Sequence, residues 1–171
     1  MSRTPHTIFV SYSRHDGNVT YDLADSLRAD GHTVWTDVSG IPGGAIWLFE
    51  IEKAITACDV FVVMISRGAK ESPWVMREIL FALDLRKRII PVRLEDVTLP
   101  FALYELQPIN YFAAPMRAAQ DLLAALSSPA SQAVSSPMTD TPSVSLAAAA
   151  KGLSLVDFRR YLLTSPDEET Q

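Results

Sequence analysis

Five short apolar runs, at residues 7–10, 33–35, 60–65, 88–92 and 109–112, recur along the chain with helical patterns between the first four and after the last. The runs are rich in Val, Ile and Phe, as strands buried on both faces require. Alternation at this interval predicts a parallel sheet with helices on both faces: a flavodoxin-like three-layer α/β sandwich with five strands. The helical patterns have recognisable edges. Val19, Leu23 and Leu27 recur every four residues and form one apolar stripe, and Gly31 is a natural left-handed stop. Trp47, Ile51 and Ile55 repeat the spacing in a second helix. Ser72 caps a third, with Pro73 at its first position, and the pattern runs to about residue 87. A last helix, rich in Ala and Leu, covers residues 116–126.

This unit occupies residues 5–127. From 128 to 145 Ser, Thr and Pro dominate and no apolar period survives, which predicts a flexible linker. Residues 146–171 recover a short helix, capped by Ser154 with Leu155, Phe158 and Leu162 on one face, and end in an acidic tail.

Composition removes several functional classes. The net charge of -5 leaves no basic stripe for general nucleic-acid binding. Cys58 is the single cysteine, so no intrachain disulfide forms and paired-cysteine metal sites are excluded; it is expected to pack as a small apolar residue. His6, His15 and His32 show no metal-ligand spacing. The longest plain apolar run is a strand's length, and residues 1–7 lack a signal-peptide core, so a cytoplasmic protein that does not enter membranes is expected. The short basic run Arg86, Lys87 and Arg88 reads as a solvated helix end.

Open parallel sheets bind ligands beyond the carboxyl ends of their strands. The loop there, residues 11–17, has neither Walker spacing nor G-x-G-x-x-G. A phosphoacceptor receiver needs acidic residues at the ends of the first and third strands, where this chain has Ser11 and Ser66. Five separated segments instead carry a family resemblance: IFVSYSRHD at 8–16, VWTDVSGIPGG at 34–44, AITACDVFVVMIS at 54–66, SPWVMREI at 72–79 and IIPV at 89–92. In that order and spacing they resemble the Toll/interleukin-1 receptor (TIR) domain. Gly40, Ile41, Pro42, Gly43 and Gly44 then match its BB loop, an interaction surface. Receptor-type members usually close with a Phe-Trp pair; here Tyr111 and Phe112 stand there, and the compact loops look more like bacterial members.

The resemblance implies one of two functions. The first is an NAD+ glycohydrolase, releasing nicotinamide and ADP-ribose or a cyclised form, activated by self-assembly in signalling or defence. NAD+ is then a substrate, and no cofactor or metal is implied. In enzymatic members a glutamate on the helix after the BB loop supports the cleavage, and the matching position is Glu50, with Glu52 the carboxylate under a shifted alignment. The chemistry is economical: nicotinamide bound to ribose is cationic, leaves neutral and needs no general acid, so one carboxylate facing the nascent ribosyl cation suffices. Trp47, three residues earlier, is placed to stack on the substrate, Arg14 to neutralise pyrophosphate, and Tyr12 and Ser13 to line the same pocket. Plainer roles stand beside these: Glu50 as a solvated residue near a helix N-terminus, Trp47 as partly core, Trp74 as an anchor for its helix, Glu78 as a residue paired locally with neighbours of Arg77 or with the backbone. The second function is a noncatalytic adaptor that signals through homotypic TIR–TIR contact. Other TIR domains, in a homo-oligomer, are the implied partners, with a sensor reached through the C-terminal segment.

Overall fold

The computed structural model describes residues 4–36 and 47–128, residue 47 only by its place in a helix. The BB loop residues Gly40 to Gly44, the side chain of Trp47, the expected linker and the expected C-terminal helix lie outside the described residues.

The elements follow the predicted alternation: β1 (Thr7–Ser11), α1 (Gly17–Ala29), β2 (Thr33–Thr36), α2 (Trp47–Ala57), β3 (Val60–Ile65), α3 (Arg67–Glu71), α4 (Pro73–Asp84), β4 (Arg88–Arg93), β5 (Ile109–Asn110) and α5 (Pro115–Ser127). Short 3-10 turns occupy Arg14–Asp16 and Phe101–Leu103. The strands form one sheet in the order β2-β1-β3-β4-β5, and every pairing is parallel. Every residue of β3 is buried, the sign of a strand covered on both faces.

The period-2 alternation of β1 divides the core. Ile8 and Val10 join Tyr12, α1 residues Leu23 and Leu27, and α5 residues Leu122 and Leu126 in one cluster. Phe9 points the other way and stacks on Phe61, with ring centroids 5.6 Å apart, among α2 residues Ile51 and Ile55 and α4 residues Val75 and Ile79. Register enforces the division, because Phe9 pairs with Phe61 and Val10 with Val62.

Several local expectations are corrected. In α1 the stripe is Thr20, Leu23, Ala24 and Leu27, with Val19 half-buried. Thr20 is accommodated because its hydroxyl donates to the Asp16 carbonyl at 2.9 Å. β5 stops at Asn110 instead of 112, since the amides of Tyr111 and Phe112 both turn back to the Arg93 carbonyl. α3 was not expected: five residues are too few to show a helical period, but Ser66 caps the segment by accepting from the Ala69 amide at 3.0 Å. α4 begins as predicted, with the Ser72 hydroxyl accepting from the Val75 amide, and ends at Asp84. Among the described residues no helix is long and apolar enough to cross a membrane.

Candidate functional site

From β1 the chain steps outward to β2, then returns past β1 to β3, so the order reverses between β1 and β3. The ends of these two strands flank the position where open α/β sheets present ligands. The residues found there are polar and buried. Ser11 closes β1, Ser13 follows it, Ser66 follows β3, and all three are within the interior.

Local geometry dictates where each points. Alternation along β1 puts Ser11 on the Phe9 face, toward α4. On α4 the buried stripe is Val75, Glu78, Ile79 and Ala82, so the glutamate occupies a core position. The two meet: the Ser11 hydroxyl donates to Glu78 Oε2 across 67 residues of sequence. Ser11 is 1% exposed and Glu78 5%, so each has left water for this environment. Glu78, expected to pair locally, thus has a partner distant in sequence.

The neighbouring loop is held twice more. Ser66 Oγ donates to Asp16 Oδ2 at 2.6 Å while accepting from the Ala69 amide. A Cβ on Gly68 would stand 3.0 Å from Ser13 Oγ, so α3 approaches the loop closely at this glycine. These contacts fix the segment from Ser11 to Asp16 against β3, α3 and α4.

The other candidate residues are distributed around this point. Arg14 is exposed at the start of the turn after β1. Tyr12 packs in the cluster with α1 and α5, its hydroxyl 3.0 Å from that of Tyr21 and the two rings edge to face. It thus lies on the side of the sheet opposite α2. Glu50 sits in the first turn of α2, and its Oε1 accepts from Lys53 Nζ at 3.0 Å. The Glu50 side chain is 24% exposed and that of Lys53 74%, which makes this a surface pair of a few tenths of a kcal/mol at most. Glu52 is half-buried. Trp74 is partly buried against the α2/α4 cluster, as an anchor should be. Geometry therefore brings Ser11 and Glu78 together, sets Ser13 beside Gly68 on α3, and leaves Glu50 on a separate helix. Glu78 was readable in the sequence: it falls inside the stripe Val75, Ile79, Ala82, where an exposed carboxylate has no room.

The sequence profile of the TIR domain matches residues 8–126. The TIR domain of the Toll-related receptor TRR-2 from Hydra magnipapillata superposes with a TM-score of 0.63 at 16% identity, covering 71% of this chain and 98% of that one. The TIR domains of the activated Roq1 resistosome, which recognises the effector XopQ, give 0.60 at 16% identity, covering 71% and 99%. A TIR-STING receptor from C. gigas gives 0.60 at 24% identity, covering 72% of this chain and 41% of the receptor. No curated protein matches the chain significantly. At these identities the structural likeness is one of fold, and it agrees with the five-stranded parallel sheet, its strand order and the profile match. Over residues 8–126 this chain belongs to the TIR domain family.

Proposed function

We propose that this TIR domain hydrolyses NAD+ at the bond between nicotinamide and ribose, and that Glu78 is the carboxylate that faces the ribosyl cation. The bond's electron pair leaves with the nicotinamide nitrogen, water adds to the ribose carbon, and a proton is released. A lone carboxylate meets the need for stabilisation of positive charge, most effectively where little water screens it. The burial of Glu78 beside Ser11, at the point where the strand order reverses, is the observation that carries this reading.

Glu50, the residue implied by family resemblance, is the competing carboxylate. Its carboxylate forms a weak surface ion pair with Lys53, whereas that of Glu78 is withdrawn from water, which favours Glu78. Arg14, exposed on the adjoining loop, is suited to pyrophosphate, and Trp47 at the start of α2 to stacking on the substrate. In this reading the BB loop of one copy completes the pocket of another, so activity grows with assembly.

The test is nicotinamide release measured over a series of protein concentrations for the wild type, Glu78→Gln and Glu50→Gln. Release per molecule is expected to rise with concentration. Glu78→Gln should lower it by about 10²–10³-fold, the usual effect of losing a central electrostatic stabiliser, and Glu50→Gln by only a small factor. The reverse pattern would transfer the role to Glu50. Absence of release at every concentration would leave homotypic association as the function, to be sought by its loss in Ile41→Asp.

A further inference from the structure

We propose that Ser11 is a positioning residue for Glu78: its hydroxyl fixes the carboxylate from the end of a strand paired within the sheet. This rests on the glycohydrolase reading and deepens it.

The case begins with what position 11 ought to contain. It ends β1, which lies between β2 and β3, and Ser11 itself is registered against Val63 of β3. It shares a face with Phe9, among Ile51, Ile55, Val75 and Ile79. An apolar side chain would pack there at no desolvation cost, whereas a hydroxyl 1% exposed is costly unless hydrogen-bonded. Its partner is Glu78 Oε2.

The two partners differ in freedom. A glutamate has three rotatable side-chain bonds and loses considerable rotamer entropy when held in one pose. Ser11 has one, and its backbone is fixed in the sheet. The short, rigid group therefore sets the position of the long, flexible one. The loop beyond is secured by the Ser66–Asp16 hydrogen bond and by the close approach of Gly68 to Ser13, so the donor's own surroundings are held too.

A carboxylate held in one pose is worth more at the transition state than in the ground state, because positive charge at the ribose develops only as the bond breaks. The loss of Ser11 should therefore appear in kcat and spare KM. The experiment measures both for nicotinamide release, together with thermal melting, in wild type, Ser11→Ala and Ser11→Thr. Ser11→Ala is expected to lower kcat by about 10–100-fold with KM within about twofold, as misplacement of a reacting group does. Ser11→Thr keeps the hydroxyl and should recover most of the rate. Should Ser11→Ala fail to fold, Ser11→Cys, close in shape but a weak donor, carries the same expectation. Folded Ser11→Ala or Ser11→Cys protein with wild-type kcat overturns the role of Ser11 while the glycohydrolase reading stands. A wild type that releases no nicotinamide overturns both.

Discussion

Cys58 lies between α2 and β3, 2% exposed, with its Sγ donating to the Ile55 carbonyl at 3.1 Å. Burial pushes its thiol above the ordinary value, and the nearby Lys87 ammonium opposes that only in part. The sign follows from linkage. The folded chain holds this proton to higher pH than the unfolded chain does, so the contribution to stability is complete below the ordinary thiol range and is lost as pH rises from there through the raised value of the folded state. Iodoacetamide at pH 7.5 is therefore expected to leave native protein unlabelled and to label it in urea, and melting temperature should fall above about pH 9. Native labelling as fast as in urea would show that Cys58 is reachable. The expected packing of this residue was legible because a lone cysteine beside an apolar strand has few other roles. The burial of Glu78 is equally legible in principle, since the apolar stripe Val75, Ile79 and Ala82 surrounds it in the sequence. Tyr12 was not legible as a core residue: a tyrosine just past a strand end can turn to either face, and only the presence of Tyr21 on α1 decides which.

Two helices end in the same hydrogen-bonded motif with different residues at its left-handed position. In α1, the His32 amide bonds to the Leu27 carbonyl and the Gly31 amide to that of Arg28, with Gly31 at φ 95°. In α4, Lys87 bonds to Ala82 and Arg86 to Leu83, and Arg86 carries φ 52°. The sequence announced the first end with glycine and hid the second behind arginine, which is why the α4 pattern read two to three residues too long. An L-residue in this conformation costs about 1–2 kcal/mol, part of which glycine returns through its freer unfolded chain. Arg86→Gly is expected to stabilise the fold by about 0.5–1 kcal/mol, raising the melting temperature by about 2–4 °C. A lower melting temperature would mean that the arginine side chain contributes more than its backbone costs. The rest of the basic run also does more than solvate its own helix. Lys87 Nζ donates to the carbonyls of Thr56 and Cys58 at the end of α2, and Arg88 to those of Ala125 and Ser128 at the end of α5. Cations adjacent in sequence thus close two helices distant in sequence, which no local pattern reveals.

At the scale of the molecule, alternation of strand and helix gave the layers, while the order β2-β1-β3-β4-β5 and hence the meeting of Ser11 with Glu78 required the structure. Among the described residues, the members of both core clusters lie between Ile8 and Leu126. The end of α5 is also secured from within: His6 Nε2 donates to the Leu126 carbonyl at 3.0 Å, beside the Arg88 contacts. A protein ending at Ser128 should therefore retain one cooperative unfolding transition, with a midpoint within about 3 °C of the full chain, a difference that corresponds to about 1 kcal/mol for a domain of this size. A broad transition, or a midpoint lower by more than about 10 °C, would show that residues 129–171 contribute to the folded core. With fold stability held equal, nicotinamide release by the two proteins across a concentration series then isolates regulation. If the C-terminal segment engages a sensor or controls assembly, the shortened protein should reach half-maximal release at a different concentration while keeping the same maximal rate per molecule, because the carboxylate and its serine both lie within the part that remains.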